Sequence, residues 1–286
     1  MSGLALALVL AAAVVHASWN YVLKRSGGGV GFIWLSTLFT TACYAPLAIF
    51  VALSQEFTPS LTQLGIILVS SLIHTIYFIL LDRGYRFGDL SVVYPLARAT
   101  GPLLTVAGAI LLLGEHPSPL AIGGALLIGG GAFLLTGSPT KLRSRGASRG
   151  VAFALLTGGT IAGYTMWDKQ AVAVALIPPL IFDCISNVFR NFMMAPLALR
   201  QMDNIRHAWR KQRKAVIAVA LLSPLSYILV LTAMVFTPVS YIAPAREISI
   251  LVAALMGTQL LNEGDTARKL VAAAAMMLGV VALALG

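Results

Sequence analysis

The stretch Val92–Glu115, VVYPLARATGPLLTVAGAILLLGE, decides the fold, because its pattern occurs twice in the chain. The second stretch, Ser240–Glu263, reads SYIAPAREISILVAALMGTQLLNE and has its own proline, arginine and terminal glutamate. Arg98 and Arg246 are 148 positions apart (246 − 98 = 148), and the two terminal glutamates have the same separation. Two further pairs share it: Trp19 with Trp167, and Gly131 with Gly279. One constant separation without gaps predicts a duplicated unit of about half of the 286 residues.

The composition is that of an integral membrane protein. Hydrophobic residues make up 58% of the chain and charged residues only 10%, whereas soluble domains carry about 25% charged residues. The net charge of +10 could suit nucleic acid, but the basic residues cluster between apolar runs, which favours the cytoplasmic face of a membrane. We therefore expect the lipid bilayer, and no nucleic acid, as a partner. The first apolar run lacks a preceding basic region and is followed by Lys24-Arg25, so we expect a transmembrane helix rather than a cleaved signal peptide.

We expect an all-α membrane protein with ten transmembrane helices in two five-helix repeats. A hydrocarbon core of about 30 Å needs roughly 20 apolar residues per helix, and each span must be helical to satisfy its own backbone. The apolar runs lie near 3–23, 31–53, 62–81, 90–113 and 118–136, and then near 151–167, 177–199, 215–235, 239–261 and 269–285. The first repeat is then 1–137, the second repeat is 151–286, and the polar, basic segment 138–150 links them.

The basic residues predict how the helices are oriented. Odd-numbered links between consecutive helices hold sixteen of the twenty lysines and arginines, whereas even-numbered links hold only Lys169. The other three, Arg98, Arg190 and Arg246, lie within spans. By the positive-inside rule the odd links are cytoplasmic and both termini are periplasmic. Because each repeat has an odd number of spans, the second repeat starts on the opposite side and the duplication is inverted.

Two related helices present a polar and aromatic face. In the first span this face consists of His16, Trp19 and Asn20, which follow helical spacing. Its equivalents in the second repeat are Tyr164, Trp167 and Asp168. The faces either line a central pathway or belong to an aromatic belt at the membrane interface.

A deeper polar face lies on the third helix, at His74, Tyr77 and Phe78. Ser223 and Tyr227 occupy roughly equivalent places on the eighth helix. Polar groups deep in a span are stable only against protein or water. Their depth therefore favours the lining of a pathway over contact with lipid.

Arg98 and Arg246 lie well inside spans, each just behind a proline, Pro95 or Pro244. Facing lipid, each would cost about 2.5–3.5 kcal/mol, so both should face the bundle interior or snorkel to the interface. A cationic group at a helix break suits a carboxylate ligand. The alternative is a structural pair of Arg246 with Glu247 or another acid. Both interpretations stay open at the level of the sequence.

The seventh helix carries a polar stripe that the first repeat lacks. The stripe consists of Asp183, Asn187, Arg190 and Asn191, and its equivalents are the apolar Leu35, Phe39, Ala42 and Cys43. Asp183 and Arg190 form either an internal ion pair or a coupling or substrate site.

Other residues have structural interpretations. Glu115 and Glu263 stand where one helix ends and the next begins, so we expect them to cap helix N-termini rather than to bind substrate. The small residues of the fifth and tenth helices favour close helix packing within the chain over a dimer face. We accordingly expect a monomer or a weak homodimer.

The sequence contains no enzyme signature. It has no nucleophile elbow, Walker loop, HExxH motif or cysteine cluster, and its four histidines are scattered. We therefore expect neither an enzyme nor a cofactor or metal site.

Together these features resemble the EamA-type branch of the drug/metabolite transporter superfamily over nearly the whole chain. The inverted five-plus-five duplication and the segment from Tyr94-Pro95 to Gly114-Glu115 carry the resemblance, whereas Asn262-Glu263 replaces Gly-Glu in the second half. The resemblance implies a central cavity lined by both halves, alternating access, and export of amino acids or other small metabolites from bacteria. We therefore expect a secondary transporter of the inner membrane. A cationic drug exporter is the main alternative, and a membrane enzyme or scaffold is less favoured.

The polar and aromatic residues within the spans predict the substrate site. Acids are few there, and a cation would need an unpaired carboxylate, so an uncharged or zwitterionic ligand fits better. Aromatic or large hydrophobic amino acids are the expected small-molecule substrates. Possible coupling groups or internal ion pairs are Asp183, Arg190 and Glu247. The expected substrate-binding residues are His16, Trp19, His74, Tyr77, Tyr94, Arg98, Trp167, Ser223, Tyr227, Tyr241 and Arg246.

Overall fold

The computed structural model describes residues 1–27, 29–87, 90–136, 147–253 and 266–286, which are helical apart from short connections. The first half contains α1 (Gly3–Arg25), α2 (Val30–Ser54), α3 (Leu61–Phe87), α4 (Leu90–Leu113) and α5 (Pro119–Thr136). The second half contains α6 (Ala147–Ala173), α7 (Pro179–Leu199), α8 (Met202–Phe236), α9 (Val239–Ala245) and α10 (Thr266–Leu285). Residues 248–253 are helical again after α9. Glu263 and most of the expected linker, 138–146, lie outside the described residues.

The largest departure from the expected spans is at α8. The apolar run predicts a start near 215, yet the helix begins at Met202 and takes in most of the charged seventh link. Ile205 and Ala208 in this charged segment are buried against the bundle. Gln212 has a non-helical backbone (φ −131°, ψ 20°), so the chain kinks there before the apolar part. The segment is amphipathic, and counting apolar residues in a row does not detect such a helix.

The two halves pack around an approximate two-fold relation. α1 packs along α8 and α3 packs along α6, while α2 packs against α7 and α5 against α10. Each helix of the first half corresponds to the helix five places later, as α1 does to α6. Exchanging corresponding helices converts the α1–α8 pair into the α3–α6 pair, and it leaves the α2–α7 and α5–α10 pairs unchanged. This confirms the all-α fold of two inverted five-helix repeats.

The surface of the bundle suits lipid. Within the described ranges, the helical segments long and apolar enough to cross a membrane are α1, α2, α3, residues Val93–Leu113 of α4, and α8. α5 and α10 contain shorter apolar stretches. Leu53 and Leu111 are 74% and 80% exposed, together with many other large apolar side chains. Such a surface is stable in hydrocarbon but not in water, so the chain is a multi-pass membrane protein.

Small residues bring α5 and α10 into close contact, as the sequence predicts. A Cβ added to Gly124 would lie 2.6 Å from the carbonyl oxygen of Gly279, and one added to Gly279 would lie 2.7 Å from the carbonyl oxygen of Gly124. A Cβ on Gly131 would lie 2.9 Å from the carbonyl oxygen of Ala272. Because backbone atoms oppose these positions, only glycine permits the observed spacing.

The ninth span is broken at Arg246. α9 ends at Ala245, behind Pro244, whereas α4 runs without interruption past the equivalent Arg98. Glu115 holds the start of α9 from the other repeat, because its carboxylate oxygens accept from the Val239 and Ser240 amides at 2.8 and 2.9 Å. The predicted capping role of Glu115 is therefore confirmed, although the capped helix is α9 and not the helix that follows Glu115.

Candidate functional site

A cavity of about 730 Å³ lies between the two repeats. Its wall is formed by α1, α2, α3, α4, α6, α7 and α8, together with Arg246 and Ser249. Along α1 it extends from Val9 past Leu23 to Gly27, in the link between α1 and α2. At the opposite end an apolar cluster that includes Ala5, Phe182 and Met234 fills the bundle. The volume is within the usual range for sites that bind small molecules.

Most of the residues expected at the substrate site lie in this wall. The structure brings together nine of the eleven: His16, Trp19, His74, Tyr77, Tyr94, Arg98, Ser223, Tyr227 and Arg246. They come from both repeats, so the cavity depends on how the two halves pack.

The structure corrects the expected placement of Trp167 and Tyr241, which lie away from the cavity. The indole N–H of Trp167 donates to the carbonyl oxygen of Ile66 at 2.9 Å, and the ring is 37% exposed on the outside of the bundle. The Tyr241 hydroxyl donates to the carbonyl oxygen of Gly286 at 3.1 Å, at the end of the chain. Trp167 points outwards because neighbouring α6 positions, Tyr164 and Asp168, occupy the inward face.

Arg98 forms an ion pair across the two repeats. Its Nε lies 3.1 Å from Oε2 of Glu247, and the two side chains are only 13% and 5% exposed. Its Nη2 also donates to the Ser249 hydroxyl at 3.4 Å. A structural ion pair was one of the open alternatives, but Arg98 is the partner of Glu247, whereas Arg246 is adjacent to it in sequence. The position equivalent to Glu247 in the first repeat is Ala99 (247 − 148 = 99), so the two equivalent arginines have one neighbouring glutamate between them, and it pairs with Arg98.

Arg246 has no carboxylate within 4.0 Å among the residues that the structure describes. Its guanidinium instead lies over the ring of Tyr227, with Cζ 5.7 Å from the ring centroid. The side chain is partly buried and lines the cavity. A partly buried arginine with only an aromatic neighbour can accept a carboxylate ligand in a bidentate fashion.

Asp168 is a polar residue that the expected site omits. It is fully buried on α6, just behind the cavity wall. Oδ1 accepts from the Ser70 hydroxyl at 2.5 Å, and Oδ2 accepts from the Tyr227 hydroxyl. His74 Nε2 lies 3.9 Å from Oδ2. The sequence contained a signal for this residue, because Asp168 directly follows the sixth apolar run, is the only acid of α6 and is equivalent to Asn20.

His74 connects Asp168 to the cavity. Its ring stacks on Tyr164 with centroids 4.0 Å apart, and its Nε2 lies 3.5 Å from the Tyr227 hydroxyl. Its Nδ1 lies 3.0 Å from the carbonyl oxygen of Ser70. Because a carbonyl can only accept, Nδ1 carries the hydrogen, and Nε2 of the neutral ring has a free lone pair.

The polar stripe of α7 forms its own network in the wall. Arg190 Nη2 lies 3.6 Å from Oδ1 of Asp183 and donates to Oδ1 of Asn187 at 2.9 Å. Asn187 in turn donates to Oδ2 of Asp183 at 2.8 Å. The internal ion pair, one of the two open interpretations, is therefore formed, and all three side chains line the cavity.

On α1, His16 and Trp19 form a second aromatic wall. Their rings make an edge-to-face contact with centroids 5.0 Å apart. The Asn20 amide donates to the His16 carbonyl oxygen at 2.8 Å. The indole Nε1 of Trp19 is buried and has no hydrogen-bond partner in the part of the chain that the structure describes.

The inverted repeats, the apolar outer surface and the polar, aromatic cavity between the halves are the features of a membrane transporter. Sequence comparison identifies the family, because residues 3–137 and 148–285 both match the EamA-like transporter family. The chain belongs to this family, within the drug/metabolite transporter superfamily, and is a membrane transporter of small metabolites.

Comparison with solved structures agrees on the fold. A crystal structure of a protein that is 14% identical superposes with a TM-score of 0.74, and the match covers 98% of each chain. At this identity the similarity concerns the fold alone. No curated protein matches the chain.

Proposed function

We propose that the protein is a secondary transporter of the bacterial inner membrane that exports amino acids, with aromatic or large hydrophobic ones favoured, by alternating access through this cavity. The observation that carries the proposal is Arg246, a guanidinium in the cavity wall without an acidic partner among the described residues. A carboxylate is the ligand group that satisfies such a cation best.

The rest of the wall suits the other parts of an amino acid. The rings of Tyr164 and Tyr227 contact His74, and the ring of Tyr77 contacts Tyr164. Rings in this arrangement can hold an apolar or aromatic side chain by stacking and edge-to-face contacts. The Trp19 ring, in edge-to-face contact with His16, adds further aromatic surface to the wall.

A cationic drug finds less support. Among the described residues, the acids lining the cavity are Asp82 and Asp183, which pair with Arg86 at 2.9 Å and with Arg190 at 3.6 Å. A lipophilic cation needs an unpaired carboxylate in a low-dielectric site. Asp168 has no arginine or lysine partner among the described residues, but it is fully buried behind Tyr227 and His74 and does not line the cavity. The acids that do line the wall are paired, which favours a zwitterion over a bulky cation.

The open end of the cavity agrees with export. The amino group of Met1 donates to the carbonyl oxygen of Ala284 at 3.4 Å, so the two termini lie at one end of the bundle. The cavity reaches Gly27 and Gly29, at the other end, where the basic odd-numbered links lie. The positive-inside rule assigns that end to the cytoplasm. A cavity open to the cytoplasm can load a cytoplasmic metabolite.

Counterflow in proteoliposomes tests the proposal. Vesicles loaded with unlabelled phenylalanine, tryptophan or methionine should accumulate the labelled amino acid, and Arg246→Gln should abolish this accumulation while Arg246→Lys retains part of it. Trp167→Phe, a change outside the cavity, is the matched control and should transport normally. If quaternary ammonium cations inhibit at far lower concentration than the amino acids do, export of cationic drugs replaces this proposal.

A further inference from the structure

Asp168 is a buried carboxylate without an arginine or lysine partner within 4.0 Å among the described residues. It differs in this respect from Asp183 and Glu247, which each pair with an arginine. Two hydroxyls, those of Ser70 and Tyr227, donate to it instead. A buried negative charge held only by neutral donors is readily neutralised by a proton.

The groups around Asp168 form a short path to the cavity. Asp168 itself is fully buried, but Tyr227 and His74 line the cavity and lie next to its Oδ2. The free lone pair of His74 Nε2 points to the same place, 3.5 Å from the Tyr227 hydroxyl. A hydronium ion in the cavity can give its proton to Nε2, or to the Tyr227 oxygen while the phenolic hydrogen passes to Oδ2. Either route leaves water behind, and the reverse steps release the proton.

The charged and titratable groups that face this cluster come from five elements. They are His74 on α3, Tyr164 on α6 itself, Arg190 on α7, Tyr227 on α8 and Arg246 beyond α9. Arg190 is already paired with Asp183. Arg246 is the cation that also faces the proposed substrate carboxylate.

We propose that Asp168, His74 and Tyr227, here called the proton cluster, bind the proton that is exchanged for the exported amino acid. The inference rests on the proposed function. With His74 neutral, the cluster carries one negative charge, which one added positive charge can balance. A carboxylate bound at Arg246 places the α-ammonium of an amino acid beside Tyr227, because that guanidinium lies over the Tyr227 ring. Proton and ammonium thus compete for the same negative charge, and such competition is the requirement for antiport.

The test compares the wild type with two variants, Asp168→Asn and Asp168→Glu, in the same proteoliposomes, with phenylalanine as the probe. Wild-type counterflow should have an apparent KM that rises about tenfold for each unit of pH decrease in the range where one proton competes. An inward proton gradient should drive accumulation against the phenylalanine gradient. Asp168→Asn should keep counterflow with weakened affinity, lose its pH dependence and no longer respond to the gradient. Asp168→Glu should restore both responses.

Asp183→Asn is the matched control, because Asp183 is also a buried carboxylate but has an arginine partner. Whatever its rate, this variant should keep the pH dependence of the wild type. The inference is overturned if Asp168→Asn retains that dependence, or if wild-type counterflow does not change with pH. If Asp168→Asn does not fold, Tyr227→Phe takes its place in the test. This variant removes only the hydroxyl that donates to Asp168, and it should weaken the pH dependence of counterflow.

A substrate-free measurement separates failure of the inference from failure of the proposed function. Potentiometric titration of purified protein between about pH 5 and pH 8 should show that Asp168→Asn takes up one proton fewer than the wild type. If Asp168→Asn and the wild type take up the same number of protons, the proposed proton site is rejected, whatever the substrate is. If Asp168→Asn takes up one proton fewer but the wild type transports no amino acid, the proton site is supported and the amino-acid substrate is rejected.

Discussion

We expect the Arg98–Glu247 ion pair to stabilise the contact between the two repeats at the cavity wall. The side chains are 13% and 5% exposed, with Nε and Oε2 3.1 Å apart. At an effective dielectric constant of about 20, their attraction is roughly 332/(20 × 3.1), or about 5 kcal/mol, before the cost of desolvation is subtracted. Glu247→Gln leaves a buried guanidinium with the Ser249 hydroxyl at 3.4 Å. We expect the free energy of unfolding to fall by about 3–5 kcal/mol.

Reversible unfolding in mixed detergent micelles, followed by tryptophan fluorescence, measures this loss for Glu247→Gln, Arg98→Met and the double variant. Because the double variant leaves no buried charge, its stability should return to within about 1 kcal/mol of the wild type. Asp82→Asn is the control, since it breaks an exposed pair with Arg86 and should change stability little. Single losses below about 1 kcal/mol, or losses that simply add in the double variant, would refute the reasoning.

Three other predictions concern packing, the site and topology. Gly131→Ala should lower stability by about 1–3 kcal/mol in a thermal unfolding assay, because its Cβ would meet the Ala272 carbonyl oxygen and the Met276 side chain. Gly130→Ala is the control, since a Cβ there faces open space and should change stability little. Trp19→Leu should raise the KM for amino acids about fivefold, the equivalent of about 1 kcal/mol of lost aromatic contact in the cavity wall, while Trp167→Phe should lower thermal stability and leave KM unchanged. A periplasmic reporter fused after Gly286 should be active, and activity only from a cytoplasmic reporter would contradict the predicted orientation.

Most helices of the bundle could be predicted from the sequence, because the thickness of the bilayer determines how long and how apolar a transmembrane helix is. The expected run 3–23 corresponds to α1 (Gly3–Arg25), and 90–113 matches α4 (Leu90–Leu113). The separation of 148 residues also indicated the two-fold packing. The prediction was wrong where tertiary contacts decide the structure. Only the bundle surface shows that the charged segment after Met202 is helical. The expected run 239–261 starts where α9 starts, but it did not predict that α9 ends at Ala245.

For the site, helical periodicity did not predict the direction of every side chain. Trp19 and Trp167 are equivalent in sequence, yet Trp19 lines the cavity and Trp167 faces outwards. The difference arises because Asp168, adjacent to Trp167, finds hydroxyl partners on α3 and α8 that Asn20, adjacent to Trp19, lacks. The sequence also did not predict which arginine forms the ion pair with Glu247. The partner is Arg98 on another helix rather than the adjacent Arg246.

The two repeats share a fold but divide the chemistry unequally. The buried acids at the cavity are Asp168, Asp183 and Glu247, and their first-repeat equivalents are Asn20, Leu35 and Ala99. Inverted repeats give alternating access when the halves exchange conformations around a site that stays fixed. If each repeat carried the same acids, the exchange would produce two sites with opposite exposure. If the protein works by alternating access, as we propose, the position of all three acids on one repeat means that both conformations present one set of charges, first to one side of the membrane and then to the other. In our proposal, that arrangement allows one amino acid and one proton to be handled per cycle.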